Sequence, residues 1–78
     1  MKNQYGETQI KLTQREYEVL KQIVLGKSNT EIAKKLYVSV HTAKAHVCSI
    51  LQKLSVADRV QAAVKAIKEN LIDDLLDE

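Results

Sequence analysis

The sequence predicts an all-α fold of four helices, and three observations carry that prediction. The 78-residue chain has no proline and only two glycines, so little in it interrupts a helix. Its apolar residues recur at helical spacing, and no stretch alternates apolar and polar as a half-buried strand does. Three expected helix starts carry a Ser, Thr or Asp followed three residues later by Glu or Gln, the capping-box signature: Thr13 with Glu16, Ser28 with Glu31, and Asp58 with Gln61.

Residues 1–11, MKNQYGETQIK, show no helical period and read as a flexible arm. The first helix opens after Thr13, carries the apolar stripe Val19, Leu20, Ile23 and Val24, and stops at Gly26. Tyr17 falls off that stripe and is expected to be partly exposed. The second helix is capped by Ser28 and presents Ile32, Ala33 and Leu36. The turn Tyr37-Val38-Ser39 follows, and Ser39 caps a longer helix over residues 40–54 by accepting from the amide of Thr42 or its neighbour. At about 100° per residue, Ala43, Val47, Ile50, Leu51 and Leu54 share one side of this helix. His41, Lys44, Ala45, Cys48 and Gln52 fall on the other. Ser55-Val56-Ala57 connects to a fourth helix opening at Arg59. Its Ala62, Ala63, Ala66 and Ile67 are predicted to face the core, with Val60 and Val64 on a separate flank and Asn70 as terminator.

A short helix, a turn of about three residues and a longer second helix are the parts of a helix-turn-helix. The outer face of the longer helix holds one cation and no acid, so it can approach base edges without like-charge repulsion from phosphate. Charge supports the same reading. Residues 1–68 hold all 12 Lys and Arg with five of the acids, a net +7. Residues 69–78 hold the other five acids, a net −5. A basic body is the footprint of a nucleic-acid binder. The acidic end, if mobile, competes with phosphate for the same lysines; if Leu75 and Leu76 pack, it is structural instead.

Other classes find little support. One small domain cannot bury both a large core and a catalytic cleft. No nucleophile–base–orienter set, phosphate-cradling glycine loop or cofactor motif appears. No apolar run approaches the roughly 20 residues of a membrane span, and no signal peptide is visible. The single cysteine cannot pair within the chain, which fits a reducing cytosol. His41, His46 and Cys48 point to different sides of one helix, a poor set for zinc, which takes four ligands or three and a water.

The run Leu12-Thr13-x-Arg15-Glu16-x-Glu18-Val19-Leu20, then Gly26-Lys27-Ser28-Asn29-x-Glu31-Ile32-Ala33, then Ser39-x-x-Thr42-x-Lys44-x-His46-Val47, then Lys53-Leu54 and Asp58-Arg59, resembles the LuxR/GerE-type helix-turn-helix of transcriptional regulators. The likeness spans residues 12–72, leaving residues 73–78 as an acidic extension. It implies a double-stranded DNA partner, a homodimer paired through the last helix by Val60 and Val64, RNA polymerase as a further partner, and a bacterial cytoplasmic, nucleoid-associated location. It places Lys44, Ala45 and Cys48 at base-contact positions, and His41 shares their face. A lysine there can donate to guanine O6 or N7, and small side chains can meet a thymine methyl. The bland alternatives are a solvated lysine, a small-residue clearance, and for Cys48 an exposed thiol open to oxidation. Ser28, Asn29, Thr30 and Thr42 are placed on phosphate, with Ser49, Lys53, Lys34 and Lys35 as further candidates. His46 bonds either phosphate or backbone. The resemblance also suggests a structural bridge between Glu16 and Arg59.

The presence of Met1 and a short arm favours a free-standing protein over a domain cut from a longer response regulator or ligand-responsive regulator. A reading from another class keeps the fold as a protein-interaction module without DNA binding. Salt-dependent DNA binding separates the two.

Overall fold

The computed structural model describes residues 10–72, so the predicted arm, apart from its last two residues, and the whole acidic extension lie outside the described residues. Four helices follow in order: α1 (Gln14–Val24), α2 (Asn29–Leu36), α3 (Val40–Leu54) and α4 (Arg59–Lys68). Each begins on a side-chain cap. Thr13, Ser28, Ser39 and Asp58 accept from the amides of Glu16, Glu31, Thr42 and Gln61 respectively. Thr13 and Ser28 complete the reciprocal box, because Glu16 and Glu31 accept back from the cap amides. Asp58 does not. The Gln61 Oε1 accepts from Ala57 N at 2.9 Å, one residue upstream of the expected partner.

All four helices also end alike. Gly26, Tyr37, Ser55 and Asn70 take a left-handed backbone, and the next residue's amide donates five residues back: Lys27 to Gln22, Val38 to Ala33, Val56 to Leu51 and Leu71 to Ala66. This motif closes the last orphan carbonyls. It also turns Val38, Val56 and Leu71 inward, where each packs on the core. Glycine supplies the left-handed residue only once. At Tyr37 the backbone sits at φ 59°, ψ 44° with the residue 94% exposed. The inward Val38 and the caps on either side dictate that conformation, not the tyrosine.

The core sits between α1 and the other helices and is built on Val19, Leu20, Ile32, Ile50 and Leu54. At eight residues α2 is too short to be stable alone. Its caps and the burial of Ile32 and Ala33 against α3 hold it in place. Ala62 and Ala66 are fully buried, and their small size lets α4 come close to α1. Ile67 departs from the expectation that it faces the core, being 58% exposed. It lies at i+3 from Val64 and i+7 from Val60, so the three form one outward apolar stripe. Ala62 and Ala66 take the inward side of the helix instead.

The expected Glu16–Arg59 bridge is not formed. Glu16, only 6% exposed, instead holds α3. Its Oε2 accepts from Ser49 Oγ at 2.7 Å, and its Oε1 accepts from Lys53 Nζ at 2.6 Å and from Thr13 N at 2.9 Å. Arg59 turns to α2. The Lys53 ammonium first, then the Thr13 amide and the Ser49 hydroxyl, hold the Glu16 carboxyl down to about 2 from its ordinary 4.5. No described helix is long and apolar enough to cross a membrane.

Two outcomes follow from these local balances. Tyr37→Gly relieves a left-handed non-glycine residue while losing little packing, so it should raise urea-unfolding stability by about 1 kcal/mol. No gain would mean that the turn is unstrained. For Glu16, the folded carboxyl titrates below the unfolded one. Its contribution is therefore complete above pH 4.5 and lost as pH falls toward 2. A full shift would be worth about 3 kcal/mol; with Lys53 partly in solvent, roughly 2 kcal/mol is expected. Glu16→Gln should be less stable by that amount at pH 7, and the gap should close between pH 4.5 and 2. A gap independent of pH would contradict the ion pair.

Candidate nucleic-acid interface

The sequence singles out two sets of residues on α3, and the structure separates them. His41, Lys44, Ala45, Cys48 and Gln52 are all exposed on one continuous face. Among the described residues this face carries no acid, and α3 has none anywhere in its length. Ala43, Val47, Ile50 and Leu54 are buried on the opposite side. A helix so divided is anchored along one side and free to enter a groove with the other. Small residues at positions 45 and 48 leave Lys44 as the long donor at the centre of the face.

The second set is the stripe Thr42, His46, Ser49 and Lys53, at i, i+4, i+7 and i+11 along α3. The C-terminal half is engaged inside the protein, where Ser49 and Lys53 both donate to Glu16. At the N-terminal half, Thr42 is half-buried; its amide donates to Ser39 Oγ at 2.9 Å and its hydroxyl oxygen lies 3.0 Å from the same atom. His46 is half-buried as well.

The start of α2 gives a further group. Ser28 Oγ accepts from the Glu31 amide at 3.1 Å, and Glu31 Oε1 accepts from the Ser28 amide at 2.8 Å. The Ser28 amide is the largest cause of a lowered Glu31 pKa. Asn29 is half-buried, with Oδ1 accepting from Arg59 Nη1, and Thr30 is exposed. Lys34 and Lys35 are exposed on the same helix. The structure thus brings Ser28, Asn29 and Thr30 together at one helix end, where free amides and the helix dipole favour an anion.

Sequence reasoning missed three features. Ile67 extends the outward stripe of Val60 and Val64, visible only as an i+7 repeat from Val60. Glu16 binds Ser49 and Lys53, and Arg59 binds Asn29, across 30 to 37 residues of chain. No spacing rule marks those pairs.

Residues 11–66 match the family described as bacterial regulatory proteins, luxR family. Over 74 residues the chain is 53% identical to the uncharacterised transcriptional regulatory protein YhcZ of Bacillus subtilis, covering 91% of this chain and 35% of that one. The chain spans about a third of the length of the curated relatives it matches. Among solved structures, the response regulator ChrA of a heme-sensing two-component system superposes with a TM-score of 0.76 and 36% identity, over 85% of this chain and 33% of that one. The transcription factor GerE superposes with a TM-score of 0.71 and 31% identity, over 80% of this chain and 92% of its own. The chain belongs to the luxR family of bacterial regulatory proteins and carries that family's helix-turn-helix DNA-binding domain.

Proposed function

We propose that residues 12–72 bind double-stranded DNA sequence-specifically, with the outer face of α3 in the major groove, and regulate transcription as a homodimer paired through α4. The observation that carries this reading is the exposed, acid-free face of His41, Lys44, Ala45, Cys48 and Gln52, backed by a buried stripe that fixes it. Lys44 donates to a guanine edge, and Ala45 and Cys48 meet thymine methyls or let the helix approach. His41, at the N-terminal end of the same face, reaches a neighbouring base. Ser28, Asn29, Thr30, Thr42 and His46 contact phosphate. Ser49 and Lys53 donate to Glu16 and so support α3. The protein works in the bacterial cytoplasm on the nucleoid, and its output passes to RNA polymerase.

Pairing rests on Val60, Val64 and Ile67, which are 51% to 69% exposed on one side of α4. Three side chains cover far less than the roughly 800 Å² per partner of a stable interface. The free dimer is therefore weak, and DNA supplies much of the drive to pair.

Selection of bound sites from random DNA tests the reading, and should return an inverted repeat. On the selected site Lys44→Ala should cost about 1–3 kcal/mol and relax preference at one base pair. Equal weakening on selected and random DNA would make Lys44 a phosphate contact. Val64→Asp sets two like charges near the two-fold axis and should abolish cooperative binding to the full repeat while leaving the monomer helical. Unchanged cooperativity would move the interface off α4.

A further inference from the structure

Arg59 occupies the first position of α4, an unfavourable place for a cation because aligned peptide dipoles make a helix N-terminus positive. Its side chain leaves α4 and crosses to the start of α2. There Nη1 donates to Asn29 Oδ1 at 2.8 Å and Nη2 donates to the Lys27 carbonyl at 2.6 Å. Lys27 and Asn29 flank the cap residue Ser28, so the two bonds grip the loop-to-helix junction on both sides.

The chemistry of the contact fixes orientation as well as place. A guanidinium has five N–H donors and no acceptor. The carboxamide oxygen of Asn29 must therefore face it, which leaves the Nδ2 hydrogens, on the other arm of the planar amide, as the outward donor. Ser28 Oγ accepts the Glu31 amide and so keeps its own proton to give. Both oxygens that Arg59 binds are neutral, so these bonds leave its positive charge in place beside that turn.

We infer that Arg59 is a positioning residue for phosphate recognition: from α4 it holds the first turn of α2 and turns the Asn29 amide nitrogen toward a DNA phosphate. The inference rests on the phosphate-facing reading of that turn given above. It assigns to an internal contact the orientation of a donor that the turn alone does not fix.

The experiment uses the selected duplex with one phosphate at a time replaced by a neutral methylphosphonate. Binding is measured for the wild type, Asn29→Ala and Arg59→Lys, at a temperature where thermal melts show each to be folded. Lysine keeps the charge but lacks the two-pronged fork. In the wild type one replacement should weaken binding about tenfold and have no effect in Asn29→Ala; that position is the Asn29 phosphate. Arg59→Lys should bind the unmodified duplex about five- to tenfold more weakly and be indifferent to the same replacement, while its response at every other phosphate stays as in the wild type. A purely structural role would weaken all positions alike. Arg59→Lys that still responds at the Asn29 phosphate overturns the positioning role. No position silenced by Asn29→Ala overturns the phosphate reading of Asn29 itself, a different result. If Arg59→Lys does not fold, Arg59→Met replaces it: an unbranched side chain of similar reach remains and both donated bonds are gone. It should stay folded and silent at that phosphate, and a retained response would contradict the proposal.

Discussion

One carboxylate sets the orientation of α3, and with it the face assigned to DNA in the proposed function. Glu16 completes the capping box that starts α1, and the same group receives Ser49 and Lys53 from α3. A buried charge is costly unless paired and fully bonded. Here an ammonium, a hydroxyl and an amide all converge on it, so the low pKa and the buried position are consistent with each other. The result is an orientational constraint. Hydrophobic burial of Ala43, Val47, Ile50 and Leu54 holds α3 against the core but is tolerant of small rotations. A hydrogen-bonded stripe on the adjoining side is not. Together they fix which residues face outward.

The faces of α3 thereby divide the work. One side builds the core, the Ser49–Lys53 edge locks rotation, and the outer face is left to His41, Lys44, Ala45, Cys48 and Gln52. The other helices follow the same economy. On α4, Ala62 and Ala66 face inward while Val60, Val64 and Ile67 face out. Arg59, at the start of that helix, reaches over to α2.

What was legible in the sequence was local. Caps at Thr13, Ser28, Ser39 and Asp58 act within three residues, and helical period assigned the buried face of α3. The stops at Gly26 and Asn70 were legible because those residue types favour a left-handed backbone. Tyr37 and Ser55 stop their helices in the same way without that preference, since Val38 and Val56 must turn inward. The partners of Glu16 and Arg59 were not legible. Each is a charged residue with several opposite or polar candidates, and only the packing of distant helices selects among them. Ile67 was misplaced because the apolar arc of α4 is wider than its contact with α1, and the sequence does not say where the contact ends.

On the proposed function, a rotationally locked α3 presents its outer face to DNA. Amide shifts of the isotope-labelled chain, followed by NMR as selected duplex is added, test it most directly. Large shifts are expected at His41, Thr42, Lys44, Ala45 and Cys48 and in the first turn of α2, with Ser49, Lys53 and Glu16 little changed. Shifts centred on α1, or a rearrangement of the Glu16 contacts on binding, would contradict it.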